Sequence, residues 1–422
     1  MTGTESPDMP SPIDLASLVA TAKWGRTATG SSKSLVVRAL LLVFACIVPV
    51  AVPAAEDTSR ARTAVDAAIL PLMSRHDIPG MAVGLVLDGQ PYVFTYGVAS
   101  KESKAPVTEA TLFEIGSVSK IFTATLAAYA QVTGKLSLDD YPGKYLPQLR
   151  GRPIDRASLL HLGTYTAGGL PLQFPDEVSG EAATMTYFRN WKPLAPPGTR
   201  REYSNPSPGL LGLVAAAALN DDFATLMESL VFPAFGMANS FIYVPDRKMA
   251  DYAWGYRMDR PVRVSKGPLD EQAYGVKTTV SDLIRFVQAN IDPSSLDPAM
   301  RPAVEATHIG YFRAGPLVQA LGWEKYPYPV SREWLLGGNS KEMLFDPQPA
   351  DRLVDQTPDG QHLFNKTGST GGFATYVAFV PARKIGLVML ANRSYPIPDR
   401  VEAARMILEQ LESGSGPGQA KR

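Results

Sequence analysis

Hydrophobic positions form helix-like and strand-like segments at both ends of the chain. Residues 63–76 carry apolar side chains at helical spacing, which predicts an amphipathic helix. Residues 81–87 and 90–96 are rich in β-formers and flank the dipeptide Asp88-Gly89. Because Asp-Gly favours the tight two-residue turn of a hairpin, these two runs predict a pair of antiparallel strands.

The C-terminal end has a similar pattern. Residues 372–380 and 385–390 are apolar runs on either side of residues 381–384, and they predict a second hairpin. Residues 401–411, with Asp399 near their start, predict a closing helix. Strands are therefore expected at both ends of the chain.

Between these ends the chain is mostly helical and loop-like. Five interior segments are predicted as helices: residues 120–132, 157–162, 209–219, 223–232 and 280–291. The pattern predicts an α/β (α+β) fold, in which a mainly antiparallel sheet from both chain ends is flanked by helices and carries an inserted, mostly helical domain. We expect the sheet subdomain at residues 56–115 and 276–412, the helical subdomain at residues 116–275, and a disordered tail at residues 413–422.

Composition narrows the class of protein. The 422 residues include 41 Lys+Arg and 41 Asp+Glu, so the formal net charge is zero. A nucleic-acid-binding protein would normally carry a basic excess, and none is present. Hydrophobic residues make up 45% and charged residues 19%, which is typical of a globular protein. The single cysteine excludes a disulfide framework.

The N-terminal segment predicts export. Residues 39–48 form a short apolar run that follows Lys33 and Arg38 and precedes the small residues Ala54 and Ala55. A basic flank, a short apolar stretch and a small-residue exit are typical of a secretory signal peptide. A membrane anchor is disfavoured, because a span needs about 20 apolar residues. We expect residues 1–55 to be a signal peptide with an upstream extension, and cleavage near Ala54 or Ala55.

The polar stretch before this run makes the leader unusually long. We hypothesise that translation begins near Val36 or Val37. Cys46 lies inside the apolar run and is expected to be an ordinary signal-peptide cysteine rather than a lipid-attachment site. Cleavage would remove this cysteine, so the exported protein is not a cysteine hydrolase.

The first candidate chemical motif opens the helix predicted at residues 120–132. Ser117 and Lys120 are three positions apart, so both can point from one helical face into one pocket. A lysine with a depressed pKa can accept a proton from such a serine hydroxyl. Taken alone, Ser117 is better explained as a helix cap.

Two further motifs lie far from the first along the chain. Tyr203 and Asn205 belong to a loop, where a phenol can shuttle a proton and a carboxamide can bind a substrate amide. Lys366, Thr367 and Gly368 precede a predicted strand, and small residues there would let a substrate approach the strand edge. Each motif alone also fits an ordinary loop or turn.

Together these three motifs carry a resemblance. In the order SxxK, YxN and KTG the sequence resembles the penicillin-recognising serine acyl-enzymes, and among these it looks like a class C (AmpC-type) β-lactamase. The class A pattern differs, since it has Ser-Asp-Asn where this chain has Tyr203-Ser204-Asn205. The resemblance runs from about Thr63 to Leu411 and includes the stretches FEIGSVSKIFT and NKTGSTGGFATYVAFVP. It implies a β-lactamase/transpeptidase-like fold.

The resemblance also implies a catalytic set. Ser117 would be the nucleophile, Lys120 its hydrogen-bonded partner and Tyr203 the acid/base. The backbone N–H groups of Ser117 and Ser369 would form the oxyanion hole. Whether Lys120 or Tyr203 takes the proton stays open at this point, because two coupled groups titrate as a pair.

A substrate-binding set follows from the same resemblance. Gln173 and Asn205 would bind the acyl-amide side chain, and Lys366, Thr367 and Arg400 would surround the substrate carboxylate. Two positions depart from the family pattern. Asn365 stands where a histidine is common, and Ile397 stands where an asparagine often contributes a polar contact.

Other catalytic classes are disfavoured by the sequence. The four histidines are scattered, with no HxH or HExxH pair, and no GxSxG elbow occurs; they are His76, His161, His308 and His362. The resemblance implies a periplasmic serine β-lactamase that hydrolyses cephalosporins and penicillins without metal or organic cofactor. It would act as a monomer, with no nucleic-acid partner and no membrane span after cleavage. The alternatives are a D-Ala-D-Ala carboxypeptidase or esterase on the same fold and, more remotely, a non-catalytic penicillin-binding receptor.

Overall fold

The computed structural model describes residues 55–354 and 360–413, and a nine-stranded sheet crosses this part of the chain. Its strands are β1 (Gly80–Leu87), β2 (Gln90–Gly97), β3 (Gly310–Ala314), β4 (Leu317–Ala320), β5 (Glu324–Pro327), β6 (Asp351–Arg352), β7 (His362–Ser369), β8 (Ala374–Val380) and β9 (Ile385–Ala391). Their order across the sheet is β6-β3-β4-β5-β7-β8-β9-β1-β2. Every neighbouring pair is antiparallel. The predicted antiparallel sheet from both chain ends is confirmed, because β9 pairs with β1.

The turn between β1 and β2 shows why the sequence could predict it. Asp88 and Gly89 both have positive φ, 52° and 81°. This is the backbone of a type I′ turn, whose twist matches that of the two strands it joins. The predicted hairpin is confirmed at the predicted position.

Helices cover both faces of the sheet. Those of eight or more residues in the described ranges are α1 (Ala55–Arg75), α2 (Ser119–Val132), α3 (Gly180–Asn190), α4 (Pro206–Leu219), α5 (Val280–Ile291), α6 (Met300–Thr307) and α7 (Ile397–Ser413). The terminal helices α1 and α7 pack on each other and share one apolar cluster with the sheet. Helix α5 packs on β1 and β9, and a second cluster joins it to α2 and α4. The fold is therefore a helix–sheet–helix sandwich with two apolar cores.

Short elements complete the chain between these helices and strands. The short helical segments are Gly116–Val118, Pro142–Tyr145, Pro147–Leu149, Pro153–Arg156, Leu159–Gly163, Phe223–Leu226, Met227–Val231, Phe232–Ala234, Asp246–Lys248, Asp270–Ala273, Pro293–Ser295, Arg332–Gly338, Lys341–Phe345 and Pro381–Arg383. Three small ladders pair Phe113–Glu114 with Lys277–Thr278, Arg200–Arg201 with Gln348–Pro349, and Gly255–Arg257 with Arg260–Val262. No single helix in the ranges described is long and apolar enough to span a membrane, although Pro206–Leu219 and Phe223–Ala234, bent by 79°, reach the required length and composition as a pair.

Several elements of the structure were not predicted from the sequence, among them the strands β3, β4, β5, β6 and β7. Lys366, Thr367 and Gly368 were expected to precede a strand, whereas they lie within β7. The strands β3, β4 and β5 were expected as part of a helical and loop-like interior. In β5 the sequence hides the strand pattern because Glu324 and Lys325 are charged but buried. Helices α3 and α6 were likewise absent from the prediction, whereas α5 occupies Val280–Ile291 as predicted.

The predicted boundaries at the two ends of the chain are only partly described. The leader at residues 1–55 and the tail at residues 413–422 lie outside the described residues, except that α1 begins at Ala55 and α7 ends at Ser413. All described residues fall in one compact unit. The division into a sheet subdomain and a helical subdomain stays a prediction.

Candidate active site

Ser117 lies in a single helical turn, Gly116–Val118, directly before α2. Gly116 has φ 51°, and a Cβ there would lie 2.5 Å from the carbonyl oxygen of Ser369. A Cβ on Gly368 would lie 1.9 Å from the carbonyl oxygen of Ile115. Only glycine fits at either position, and the end of β7 is therefore pressed against the turn that holds Ser117.

Lys120 follows one helical turn later and is 1% exposed. Its Nζ donates to Ser117 Oγ at 2.8 Å and to the carbonyl oxygen of Ala273 at 2.8 Å. The predicted alignment of Ser117 and Lys120 on one face is present. Ser117 does not cap α2, since Val118 precedes that helix and no side chain caps it.

Tyr203 brings the second motif to the same place. The Nζ atoms of Lys120 and Lys366 lie 5.3 and 4.9 Å from the centroid of its ring. Burial opposes ionisation of the phenol, but the two ammonium groups and the Ser117 hydroxyl outweigh it and lower the pKa of Tyr203 to about 8. The phenol is thus prepared to exchange a proton near neutral pH.

Lys120 is shifted toward the same range. Burial lowers the pKa of Lys120 to about 8, with repulsion from Lys366 adding to the effect and attraction to Tyr203 and Glu324 opposing it. The ammonium and the phenol are close and have similar pKa values. They therefore act as one coupled acid–base pair, and its protons belong to the pair rather than to either residue.

Lys366 is held in its charged form by a residue that the sequence analysis missed. Glu324 Oε1 lies 3.5 Å from Lys366 Nζ and 3.4 Å from a guanidinium nitrogen of Arg201. Although burial favours the neutral amine, Glu324 and Tyr203 raise the pKa of Lys366 above its ordinary value. Two features of the sequence could have indicated the buried contact between Glu324 and Arg201. Glu324 is the one acid in the mainly apolar stretch LGWEKY, and Arg201 lies two residues before Tyr203.

A cavity of about 360 Å³ opens beside these groups. Six predicted site residues line it: Ser117, Tyr203, Gln173, Asn205, Thr367 and Ser369. Asn205 is 5% exposed, and its Oδ1 has no hydrogen-bond partner among the residues the structure describes. A buried acceptor without a partner is costly, so Asn205 is suited to receive a donor from a bound molecule.

Lys366 and Arg400 are the two predicted substrate-binding residues that do not line this cavity, and each is 1% exposed. Arg400 contacts the end of β7. Its guanidinium donates to the carbonyl oxygen of Gly368 at 2.7 Å and to Ser369 Oγ at 3.1 Å. Arg400 therefore supports the end of β7, and a direct contact with a substrate carboxylate stays a prediction.

The two unusual positions differ in their surroundings. Asn365 is fully buried on β7, and its Nδ2 donates to the carbonyl oxygen of Glu324 at 3.4 Å. Ile397, the first residue of α7, lines the cavity beside Thr367. The wall at this end is therefore apolar where the family pattern would place an amide.

The chain contains no metal-binding arrangement within residues 55–354 and 360–413. No group of three or more His, Cys, Asp or Glu side chains is placed there to hold an ion. The convergent groups are instead a hydroxyl, a phenol and two amines around a cavity. This arrangement is suited to nucleophilic acyl transfer.

Comparison with known proteins agrees with this chemistry. The Beta-lactamase family model matches residues 65–412, and the chain belongs to this family. A Beta-lactamase of Pseudomonas fluorescens is 50% identical over 353 residues, which cover 83% of this chain and 99% of the relative. A Beta-lactamase of Escherichia coli strain K12 is 42% identical over 346 residues, covering 82% of this chain and 92% of the relative.

Solved structures extend the comparison to the fold. A class C beta-lactamase in complex with cefoxitin is 47% identical, with a TM-score of 0.81, and the match covers 84% of this chain and 99% of that one. A D-alanine carboxypeptidase AmpC from Burkholderia cenocepacia is 54% identical, with a TM-score of 0.80, and the match covers 83% and 99%. The expected resemblance to class C β-lactamases and the expected fold are confirmed.

Proposed function

We propose that this protein is a class C serine β-lactamase that opens the β-lactam amide through a covalent acyl-enzyme on Ser117. The observation that carries the proposal is the 2.8 Å hydrogen bond between Lys120 Nζ and Ser117 Oγ beside the cavity lined by Tyr203. A serine hydroxyl is a weak nucleophile unless a nearby base accepts its proton. Here that base is the coupled Lys120–Tyr203 pair.

Acylation begins when Ser117 Oγ forms a bond to the lactam carbonyl carbon. The hydroxyl proton passes to the Lys120–Tyr203 pair, and the carbonyl oxygen becomes an oxyanion. The backbone N–H groups of Ser117 and Ser369 are proposed to stabilise it, and the close packing of Gly116 against Ser369 supports their convergence. The C–N bond then breaks, and the lactam nitrogen takes the proton back from the pair.

Deacylation uses the same groups with water as the nucleophile. The water oxygen attacks the ester carbon, and its proton passes to the Lys120–Tyr203 pair. The ester C–O bond then breaks, and the proton returns to Ser117 Oγ. The lowered pKa values of Lys120 and Tyr203 support both proton transfers, to the pair and back to Ser117 Oγ, near neutral pH.

Cephalosporins and penicillins are the proposed substrates. Their acyl-amide side chain would meet Gln173 and Asn205, and the unpartnered Oδ1 of Asn205 supports this assignment. Their carboxylate would lie toward Lys366 and Thr367, where Lys366 supplies a buried positive charge. A similar class C enzyme was solved with cefoxitin, which supports the same class of substrate here.

Hydrolysis of a chromogenic cephalosporin tests the proposal. The purified protein should turn over many equivalents, and mass spectrometry of the Ser117→Ala variant should show no acyl adduct. Ser103→Ala, at an exposed serine, is the matched control and should keep full activity. Activity that survives Ser117→Ala would exclude this mechanism.

A D-Ala-D-Ala carboxypeptidase is the second candidate. The observation that favours it is the solved D-alanine carboxypeptidase AmpC at 54% identity. A peptidase would release D-alanine from a D-alanyl-D-alanine peptide and hold a β-lactam as a long-lived stoichiometric adduct. Rapid turnover of the cephalosporin with little D-alanine release supports the lactamase.

We also propose that the protein is exported to the periplasm and acts there as a monomer. The signal-peptide pattern within residues 1–55 supports export, and a candidate site formed by a single chain fits a monomer. Mass spectrometry of the mature protein should give an N-terminus near Ala54 or Ala55. Peptides from residues 1–33 in the unprocessed precursor would exclude the proposed downstream start.

A further inference from the structure

A second cavity of about 290 Å³ lies away from the residues assigned above. It is bordered by the start of α3, by Leu213 on α4, and by residues 267–272. No residue of the catalytic or substrate-binding set lines it. Its volume is close to the lower end of the range typical of small-molecule sites, about 300 Å³.

The polar feature of this cavity is Gln272. This side chain is 4% exposed and lines the cavity. Its Oε1 has no hydrogen-bond partner in the described part of the chain. Buried side-chain acceptors are nearly always satisfied, so an unpaired one points to a missing donor. A molecule bound here would gain most by offering an N–H group.

The charges around the cavity indicate that the donor group of a bound molecule is a cation. Glu181, Asp270 and Glu271 line the cavity, whereas no lysine, arginine or histidine does. Burial raises the pKa of Asp270, against the attraction of Lys277, so its carboxylate would be stabilised by a further cation. The remaining walls are largely apolar: Leu146, Met185, Leu213, Pro268 and Leu269.

We propose that this cavity binds a small organic cation with an apolar body and a terminal amino group. The ammonium group would donate to Oε1 of Gln272 and pair with the Asp270 carboxylate. The apolar body would replace water against the leucine and methionine side chains. This is a binding site separate from the β-lactam site.

The wall of the cavity is also connected to the catalytic lysine. The short helix Asp270–Ala273 provides part of the wall, and the carbonyl oxygen of its last residue accepts the 2.8 Å hydrogen bond from Lys120. The carbonyl oxygen of Gln272 accepts from Thr123 Oγ1 on α2 at 2.7 Å. An occupant that moves this helix changes the position of Lys120, because these bonds join the two.

The backbone at the start of this helix is strained. Leu269 has φ 53°, a left-handed conformation that a branched side chain rarely adopts. Leu269 also lines the cavity. A ligand packed against this side chain therefore contacts the residue that carries the strained backbone.

Binding is tested with 4-phenylbutylamine on the mature protein by titration calorimetry. The uncharged 4-phenylbutan-1-ol is the matched probe, and we expect the amine to bind roughly three- to tenfold more tightly. Leu213→Trp should fill the cavity and weaken amine binding by about tenfold or more. Equal affinity for the two probes, or amine binding unchanged by Leu213→Trp in a folded protein, would overturn the site.

A conservative pair of variants keeps the test independent of folding. Glu181→Gln removes a carboxylate of the cavity and should weaken amine binding by about two- to threefold. Glu177→Gln removes an exposed carboxylate outside it and should leave binding unchanged. Equal effects of the two variants would mean that the amine responds only to the general surface charge, which contradicts the proposal.

The connection to Lys120 rests on the proposed function and is measured separately. The amine should lower kcat for cephalosporin hydrolysis without competing with the substrate, and Leu213→Trp should abolish this inhibition. Inhibition overcome by high substrate, or binding without any change in kcat, would overturn the connection. Calorimetric binding does not require turnover, so its failure is distinguishable from failure of the lactamase proposal.

Discussion

Two buried tyrosines, Tyr203 and Tyr252, lie near strand β7, yet their pKa values shift in opposite directions. Lys366 on β7 lies beside Tyr203, and the pKa of Tyr203 falls to about 8. Thr370, just beyond the end of β7, donates to Glu114, which also accepts from the Tyr252 hydroxyl at 2.6 Å. Burial and this carboxylate raise the pKa of Tyr252 well above its usual value.

The difference shows that burial alone does not prepare a tyrosine for proton transfer. Burial raises the pKa of both phenols, because it disfavours the charged form. Tyr252 even has a cation nearby, since Arg263 lies 4.0 Å from its ring centroid. Burial and the Glu114 carboxylate outweigh this cation, so the pKa of Tyr252 rises. At Tyr203 the two ammonium groups of Lys120 and Lys366 together outweigh burial, so the pKa falls.

The largest expected effect separates the two phenols directly. Tyr203→Phe removes one member of the proton-transfer pair and should lower kcat by about 10²–10⁴. Tyr252→Phe should change kcat by only a few-fold, because its hydroxyl serves packing and hydrogen bonding. Steady-state hydrolysis of a chromogenic cephalosporin measures both. Similar losses in the two variants would refute the assignment of roles.

The next effect comes from the contact between β7 and the Ser117 turn. Gly368→Ala would place a Cβ 1.9 Å from the carbonyl oxygen of Ile115, so β7 must move away from that turn. We expect kcat/KM to fall by about 10²-fold or more, the cost typical of losing one oxyanion donor. Gly371→Ala is the matched control, because a Cβ there meets no atom within 4 Å. Comparable losses in the two variants would show that the contact is unimportant.

Removing the Lys366 cation beside Tyr203 should lower kcat/KM by less than Gly368→Ala does, and it should shift the pH dependence of kcat/KM. With both members of the pair at pKa about 8, kcat/KM should rise with pH and level off above about 8, once the pair has lost the proton that blocks it. Lys366→Met removes a positive charge that lowers both pKa values. The rise should therefore move to higher pH, and kcat/KM at pH 7 should fall by about 30-fold or more.

A pH–rate profile for Lys366→Met and Lys366→Arg distinguishes charge from shape. The arginine variant keeps the positive charge, so its profile should stay closer to that of the original protein. A profile that does not move in the methionine variant would contradict the role of Lys366 in lowering these pKa values.

The smallest effect on activity is expected for a substitution of Glu114, which should instead lower the free energy of unfolding. Glu114→Gln weakens the hydrogen bonds from Tyr252, Thr370 and the backbone N–H of Val264. Loss of such buried bonds typically costs about 1–3 kcal/mol in the free energy of unfolding. Urea unfolding monitored by fluorescence measures it, with the exposed Glu109→Gln as control. A large loss of kcat without loss of stability would show that Glu114 belongs to the catalytic site.

The elements predicted successfully are those whose signals are local. Asp88 and Gly89 adopt the positive φ angles that their residue types allow, and the apolar spacing in Val280–Ile291 produces a helix there. Strand β5 was missed because its buried charges look like surface residues in the sequence. Glu324 can be buried only because Arg201 and Lys366 compensate its charge, and both come from distant positions.

The candidate site was predicted to a similar extent and for a similar reason. Motif spacing and family resemblance pointed to Ser117, Lys120 and Tyr203, which the structure brings together. The acceptor for Lys120 at Ala273 was not predicted, since a backbone carbonyl carries no signature in the sequence. The substrate contact predicted for Arg400 stays a prediction, and its hydrogen bonds to Gly368 and Ser369 at the end of β7 were not predicted.

Residue types and their order determined which reactive groups this protein has. Tertiary structure alone decided the pKa values of these groups, because a pKa depends on burial and on charges a few ångströms away. Lys120, Tyr203 and Lys366 have ordinary pKa values in an unfolded chain. They acquire shifted values only when α2, the loop before α4 and β7 place their charges beside one another.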